Sequence, residues 1–191
     1  MGVSAKWGKA LEIVKSNSSN SVLLFTCDKE STLLLELRGD LNIAVLFVDT
    51  GLYREEVYHY LELAEEYWGF KARILKDEKV IENSSAGGKG ECYKLLMENI
   101  VIPYLVKHGI DTIIEPAKKA ESSEEVKRIF PLSDFTDLEI WKIIKEKELP
   151  YCDLYNKGFR DVGCEPCSSS SGEGDMDQEE VKRRLKALGY L

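Results

Sequence analysis

Four groups of residues in this sequence have the types and spacing to do chemistry. In Cys164-Glu165-Pro166-Cys167 two thiols are separated by a turn short enough to bring both sulfurs to one side, where they can face one metal. That pair is half of a four-thiolate site. Cys92 is the best distant third ligand, with Cys152 and Cys27 as further candidates, and an inert or disulfide-prone pair is the competing reading. The stretch Thr26-Cys27-Asp28-Lys29-Glu30-Ser31-Thr32 joins an apolar run to a helix-like run. Backbone N–H groups at such a helix start favour an anion, to which Thr26, Ser31 and Thr32 add hydroxyls and Lys29 a positive charge. An ordinary strand-to-helix turn has the same ingredients. Asp49-Thr50-Gly51 places a carboxylate after a second apolar run, where it can accept from ribose hydroxyls or cap a helix. Lys118-Lys119, Arg128, Arg160 and Lys182-Arg183-Arg184 are the basic groups that matter if the fold brings them to the first loop.

The elements that must position these residues alternate in type. Val22–Phe25 and Ile43–Val48 are short continuous apolar runs, as buried strands are, and Lys71–Leu75 and Asp111–Ile114 are the third and fourth candidates. Helices are predicted over Lys9–Ser16, Leu33–Arg38, Arg54–Trp68, Tyr93–His108 (with Pro103 as a kink), Thr136–Glu148 and Gln178–Leu188. Thr136 and Glu139 have the spacing of a capping box. Glu78–Gly90 reads as a loop and Gly158–Gly174 as an irregular segment rich in Gly, Cys and Ser. This order predicts one α/β domain over residues 1–191, with a core at about 20–157 and an appended segment at about 158–191. Its sheet is expected to be mostly parallel and twisted, with helices on both faces.

Composition narrows the function. A hydrophobic fraction of 43% and a charged fraction of 31% are globular values. A net charge of −8 makes nucleic acid a poor partner, because that affinity comes mostly from neutralising phosphates. No apolar run approaches the length of a membrane span, and the first residues lack the apolar core of a secretory signal. Five cysteines without such a signal fit a cytoplasmic protein with free or metal-bound thiols.

Taken together, the motifs resemble the phosphoadenosine-phosphosulfate (PAPS) reductase family, which includes the adenylylsulfate reductases. The resemblance runs from about Val22 to about Gly172. Its most specific part is Phe130-Pro131-Leu132-Ser133-Asp134-Phe135-Thr136, then Glu139-Ile140-Trp141, Leu149-Pro150-Tyr151, Leu154-Tyr155, Lys157-Gly158-Phe159-Arg160 and Val162-Gly163-Cys164-Glu165-Pro166-Cys167. Phe47-Val48-Asp49-Thr50-Gly51 is similar to the family's FxDTG, and Thr26 to Thr32 occupies the place of its pyrophosphate loop, S-x-G-x-D-S-T. Lys118-Lys119-Ala120-Glu121-Ser122 falls where the family has R-R-x-E-S.

The resemblance implies an adenine nucleotide alpha-hydrolase-like fold holding an adenylyl nucleotide across the ends of the first two strands. Thr26, Lys29, Ser31 and Thr32 would meet phosphates, Asp49 and Gly51 the adenosine side, and Lys118 and Lys119 the sulfate or terminal phosphate. Cys92, Cys164 and Cys167 would hold an iron–sulfur cluster or zinc. The departures from the family pattern are specific. Asp28 replaces the loop glycine, so a pyrophosphate there needs an intervening cation such as Mg²⁺. Glu30 replaces the loop aspartate, lysines replace the arginine pair, and Glu91-Cys92 replaces a Cys-Cys pair. Reductases of the family end in a catalytic E-C-G-L, whereas Leu188 stands at the position of that cysteine. The expected function is therefore action on a sulfonucleotide, with the nucleophile supplied by another cysteine or another protein and with a thioredoxin-like reductant or partner subunit as the expected partner. ATP-dependent adenylation or sulfur transfer, as in the ATP pyrophosphatases, and a non-catalytic nucleotide- or cluster-binding module are the alternatives.

Overall fold

The apolar runs become adjacent strands of one sheet. The computed structural model describes residues 2–78, 89–117, 125–165 and 177–190, so Lys118, Lys119, Cys167, most of the Glu78–Gly90 loop and the end of the irregular segment lie outside the described residues. Strands β1 (Ser21–Leu24), β2 (Ala44–Val48), β3 (Arg73–Leu75), β4 (Thr112–Ile114) and β5 (Lys127–Ile129) form a sheet in the order β3-β2-β1-β4-β5. Every pairing is parallel, with Leu23 opposite Val45 on one side and Ile114 on the other. Parallel strands need crossovers, and helices supply them on both faces.

Successive side chains of β1 and β2 point to opposite sides, and each side has its own core. Leu23, Phe25, Val45 and Phe47 pack with α1 (Val3–Ser16), α2 (Lys29–Arg38), α3 (Glu55–Trp68), α6 (Asp137–Glu146) and α7 (Gln178–Ala187). Val22, Leu24, Leu46 and Val48 pack against one helical run on the other face. That run is α4 (Lys89–Leu96), a π-helical turn (Met97–Val101) and α5 (Ile102–Lys107). The predicted kink at Pro103 takes this form because proline has no N–H to return to the preceding turn. The ladder shifts register just before it, and the Ile102 N–H donates to the Met97 carbonyl.

Two elements differ from expectation for physical reasons. Helix α2 begins at Lys29 rather than Leu33, because its polar first turn is itself buried: Lys29, Ser31 and Thr32 are as enclosed as Leu33–Leu35. Strand β5 has no apolar run, since it is a short edge strand carrying Lys127 and Arg128 and pairing only with β4. No helix among the described residues is long and apolar enough to cross a membrane.

The capping box forms at α6. The Thr136 hydroxyl accepts from the Glu139 N–H, and the Glu139 carboxylate accepts from the Thr136 N–H at 2.8 Å. Thr136→Ala should cost about 1 kcal/mol and lower the melting temperature by about 2–4 °C, measured by circular dichroism. An unchanged melting curve would contradict this account of how α6 starts.

Candidate functional site

A cavity of about 260 Å³ opens at the carboxyl edge of the sheet. The loop after β1 gives it Thr26, Asp28 and Glu30, and the segment after β2 gives it Thr50 and Tyr53. Helix α4 contributes Cys92, Tyr93 and Leu96, and the turn after β4 contributes Pro116 and Ala117. Val162, Gly163 and Cys164 close it from the C-terminal part of the chain. Among the described residues no lysine or arginine lines it, and its carboxylates are those of Asp28 and Glu30.

The loop after β1 is held by its own carboxylate. Asp28 is the N-cap of α2, and its Oδ1 accepts from the Ser31 N–H at 2.7 Å. The Ser31 and Thr32 hydroxyls both donate to the Asp28 carbonyl, and Thr32 also meets the Tyr60 hydroxyl at 2.6 Å. Donors that the sequence assigns to phosphate are thus engaged within the protein. The Thr26 hydroxyl differs: it is buried, without a hydrogen-bond partner among the described residues, on a residue that lines the cavity.

Lys29 corrects an expectation. The sequence places it at the phosphates, but its side chain is 1% exposed and its Nζ lies 3.1 Å from both Glu30 and Asp137. A desolvated ammonium needs carboxylate partners, and these two hold it away from the cavity. Its backbone N–H is also used, donating to the Tyr155 hydroxyl at 3.1 Å. Glu30 therefore faces two demands. Burial and the neighbouring Asp28 raise its pKa to about 7, against the opposing pull of Lys29.

Asp49 serves the turn after β2. Its Oδ1 accepts from the Gly51 N–H at 2.8 Å and the Tyr58 hydroxyl at 2.7 Å, which shapes the chain into the cavity wall at Thr50 and Tyr53. Gly51 has φ +67°, a conformation that glycine adopts without strain. Asp49 and Gly51 stand beside the cavity while Thr50 lines it. The cysteine-bearing segment is fastened to this same turn. Tyr53 and Cys164 form an antiparallel bridge, the Glu165 N–H donates to the Leu52 carbonyl at 2.7 Å, and Arg54 pairs with Glu165 at 3.0 Å.

Cys92 and Cys164 therefore reach one cavity from distant parts of the chain. Among the described residues, no three His, Cys, Asp or Glu side chains gather as a metal site, and Cys167 lies outside them. Cys27 and Cys152 are fully buried and line no part of the cavity. Burial, then Cys152 and Asp28, push the Cys27 thiol well above its ordinary pKa, and burial raises Cys152 to about 12. Neither is a ready thiolate.

Sequence reasoning missed a buried ion pair behind the cavity. Glu115 is 0% exposed at the end of β4, and Arg128 on β5 grips it through Nε at 2.5 Å and Nη2 at 2.6 Å. The Tyr93 hydroxyl donates to the same carboxylate, which fixes that ring in the cavity wall. A glutamate directly after an apolar strand was the available signal, but its partner sits on the strand that left no pattern.

Residues 113–170 match the phosphoadenosine phosphosulfate reductase domain family. Adenosine 5'-phosphosulfate reductase 2 of Bacillus subtilis is 27% identical over 173 residues, covering 78% of this chain and 73% of that protein. The adenosine 5'-phosphosulfate reductase of Pseudomonas aeruginosa is 24% identical, and the chain spans 63% of its length. The fold matches the phosphate complex of Candida auris PAPS reductase with a TM-score of 0.68 at 13% identity, over 84% of this chain and 90% of that one. It also matches Candida glabrata FMN adenylyltransferase in complex with ATP, with a TM-score of 0.60 at 12% identity, over 99% and 83%. The molecule is an α/β protein of the adenine nucleotide alpha-hydrolase-like fold. Within that fold it is similar to the phosphoadenosine-phosphosulfate and adenylylsulfate reductases, with residues 113–170 matching the reductase domain.

The raised Glu30 carboxyl has a consequence for stability. Because its folded pKa exceeds the ordinary 4.5 and reaches about 7, the folded protein binds more protons than the unfolded chain across that window. The stability this group confers is complete below the window and is lost as pH rises through it. Between about pH 5 and pH 8, Glu30→Gln should lose less stability than the native protein in urea titrations, since its amide does not ionise. Parallel pH profiles for the two proteins would refute it.

Proposed function

We propose that the protein is a PAPS-reductase-like enzyme of sulfur metabolism that binds an adenylyl sulfonucleotide in the cavity at the carboxyl edge of the sheet. The observation that carries this reading is convergence. The loop after β1, the Asp49–Tyr53 turn and the Cys164 segment close on one space, at the strand ends where open α/β sheets take their ligands. The adenosine side lies toward the Asp49-Thr50-Gly51 turn, and the phosphates lie toward Thr26 in the loop before α2. Because Asp28 and Glu30 make that end of the cavity negative, the phosphates enter with a divalent cation. Oxygen donors suit Mg²⁺, and it would supply charge neutralisation between the loop and the nucleotide. On the family resemblance, Lys118 and Lys119, which lie outside the described residues, would provide positive charge toward the sulfate. Cys92, Cys164 and Cys167 are the thiols that would hold an iron–sulfur cluster or zinc, for which soft sulfur donors are suited.

Reduction of a sulfonucleotide requires a thiolate to attack the sulfur, forming an S–S bond as the nucleotide leaves with the S–O bonding pair. Among the described residues, Cys27 and Cys152 are not such groups, being buried with raised pKa values, and on the family resemblance Leu188 would stand at the place of the catalytic cysteine. The attacking thiol is therefore assigned to a thioredoxin-like reductant or a partner subunit. Adenylation with ATP is the second reading, favoured by the acidic, cation-demanding walls Asp28 and Glu30.

Calorimetry with adenosine phosphosulfate, its 3′-phosphorylated form, ATP and AMP, each with Mg²⁺, should show saturable binding of at least one. No binding by any of the four would overturn the nucleotide reading. With dithiothreitol alone the protein should bind a sulfonucleotide without releasing sulfite at an enzymatic rate. Sulfite release by this chain would refute the external thiol, and ATP-dependent pyrophosphate release without sulfite would establish the adenylating reading.

A further inference from the structure

A second cavity, of about 310 Å³, shares no lining residue with the first. It lies where the end of α6, the Tyr151–Asn156 segment and the first turns of α7 meet, and it is lined by Lys145, Tyr151, Asn156, Gln178, Glu179 and Lys182. The Lys145 ammonium donates to the Tyr151 hydroxyl at 2.7 Å and stands 4.3 Å from that ring's centroid. The hydroxyl donates onward to Asn156 Oδ1 at 3.1 Å. Tyr151 is backed by Trp141, edge to face at 5.3 Å, so this wall is rigid and flat. Neither Lys145 nor Lys182 forms an ion pair among the described residues.

Two ammonium groups and the Gln178 amide supply donors to this space, against one carboxylate, that of Glu179. Gln178 Nε2 is buried without a hydrogen-bond partner among the described residues, a costly arrangement unless something in the cavity accepts from it. Two ammonium groups face the same space, and the one opposing charge, Glu179, sits on an exposed residue. The volume is at the lower end of small-ligand sites. A ligand that satisfies this set must be small, anionic and rich in acceptor atoms. Solvated surface lysines alone would leave the buried Gln178 amide without a reason.

We propose that this cavity is a binding site for a small oxyanion, a phosphate or sulfate group either free or carried on a small ester. It is separate from the nucleotide cavity and does not rest on that reading. The ammonium groups and the Gln178 amide would donate short, charge-assisted hydrogen bonds to its oxygens, with Tyr151 as the flat wall.

The test is calorimetry on the full chain with inorganic sulfate, inorganic phosphate and glycerol 3-phosphate, with tryptophan emission as a second readout, since Trp141 lies 5.7 Å from Lys145. At least one probe should bind saturably. Lys145→Met and Lys182→Met, changes on partly or fully exposed positions, should each weaken binding by about tenfold or more, and Gln178→Leu should weaken it too. Glu179→Gln should tighten it by removing a like charge. Tighter binding of the ester would identify an organic ligand, and equal or tighter binding of the inorganic ions would identify the free anion. Failure of all three probes to saturate, or equal affinity in the two lysine variants and the native protein, would overturn the proposal.

Discussion

The buried ammonium of Lys29 is the contact on which the site's architecture depends. A cation enclosed at the end of β1 is tolerable only with carboxylates beside it, and it finds Glu30 on its own helix and Asp137 at the start of α6. The same residue's N–H reaches the Tyr155 hydroxyl, so one position ties the first crossover to two elements more than a hundred residues on. Those elements are themselves well anchored. Asp137 opens a helix with a complete capping box, and Tyr155 packs edge to face against Trp141 at 4.8 Å. Removing one partner of such a buried cluster costs about 3–5 kcal/mol, because the remaining charge is stranded.

This arrangement turns an anion-seeking geometry into an acidic one. A helix start at the end of a parallel strand ordinarily offers free N–H groups to a phosphate. Here Asp28 supplies the anion from within, and Glu30 is drawn to the same end of the cavity by the need to compensate Lys29. What remains open to a ligand is a Thr26 hydroxyl unpartnered among the described residues, the two carboxylates and the aromatic walls Tyr53 and Tyr93. The loop's departures from the family pattern at Asp28 and Glu30 are thus one linked change of charge rather than isolated substitutions.

Much of the fold was legible because its strands are buried on both faces and so appear as unbroken apolar runs; Val22–Phe25 and Ile43–Val48 are plain in the sequence. Strand β5 was not, because a short edge strand with two adjacent cations, Lys127 and Arg128, is held by its neighbour rather than by its own hydrophobicity. The approach of Cys92 to Cys164 was anticipated from motif order, and the structure brings both to one cavity. The burial of Lys29 was illegible, since a lysine before a serine reads as a phosphate ligand until its distant partner Asp137 is known. Tyr93 and its Glu115–Arg128 anchor were hidden for the same reason: each bond links residues on separate elements, and no local spacing records it.

The cavity between the ends of β1, β2 and β4 is the proposed seat of the adenine nucleotide. Photolabelling with 8-azido-ATP and Mg²⁺, followed by peptide mass spectrometry, tests it most directly. Adducts should fall in the segments bearing Thr50 and Tyr53 or Cys92, Tyr93 and Leu96, and excess unlabelled ATP should suppress them. Competable adducts confined to segments outside this cavity would contradict the account.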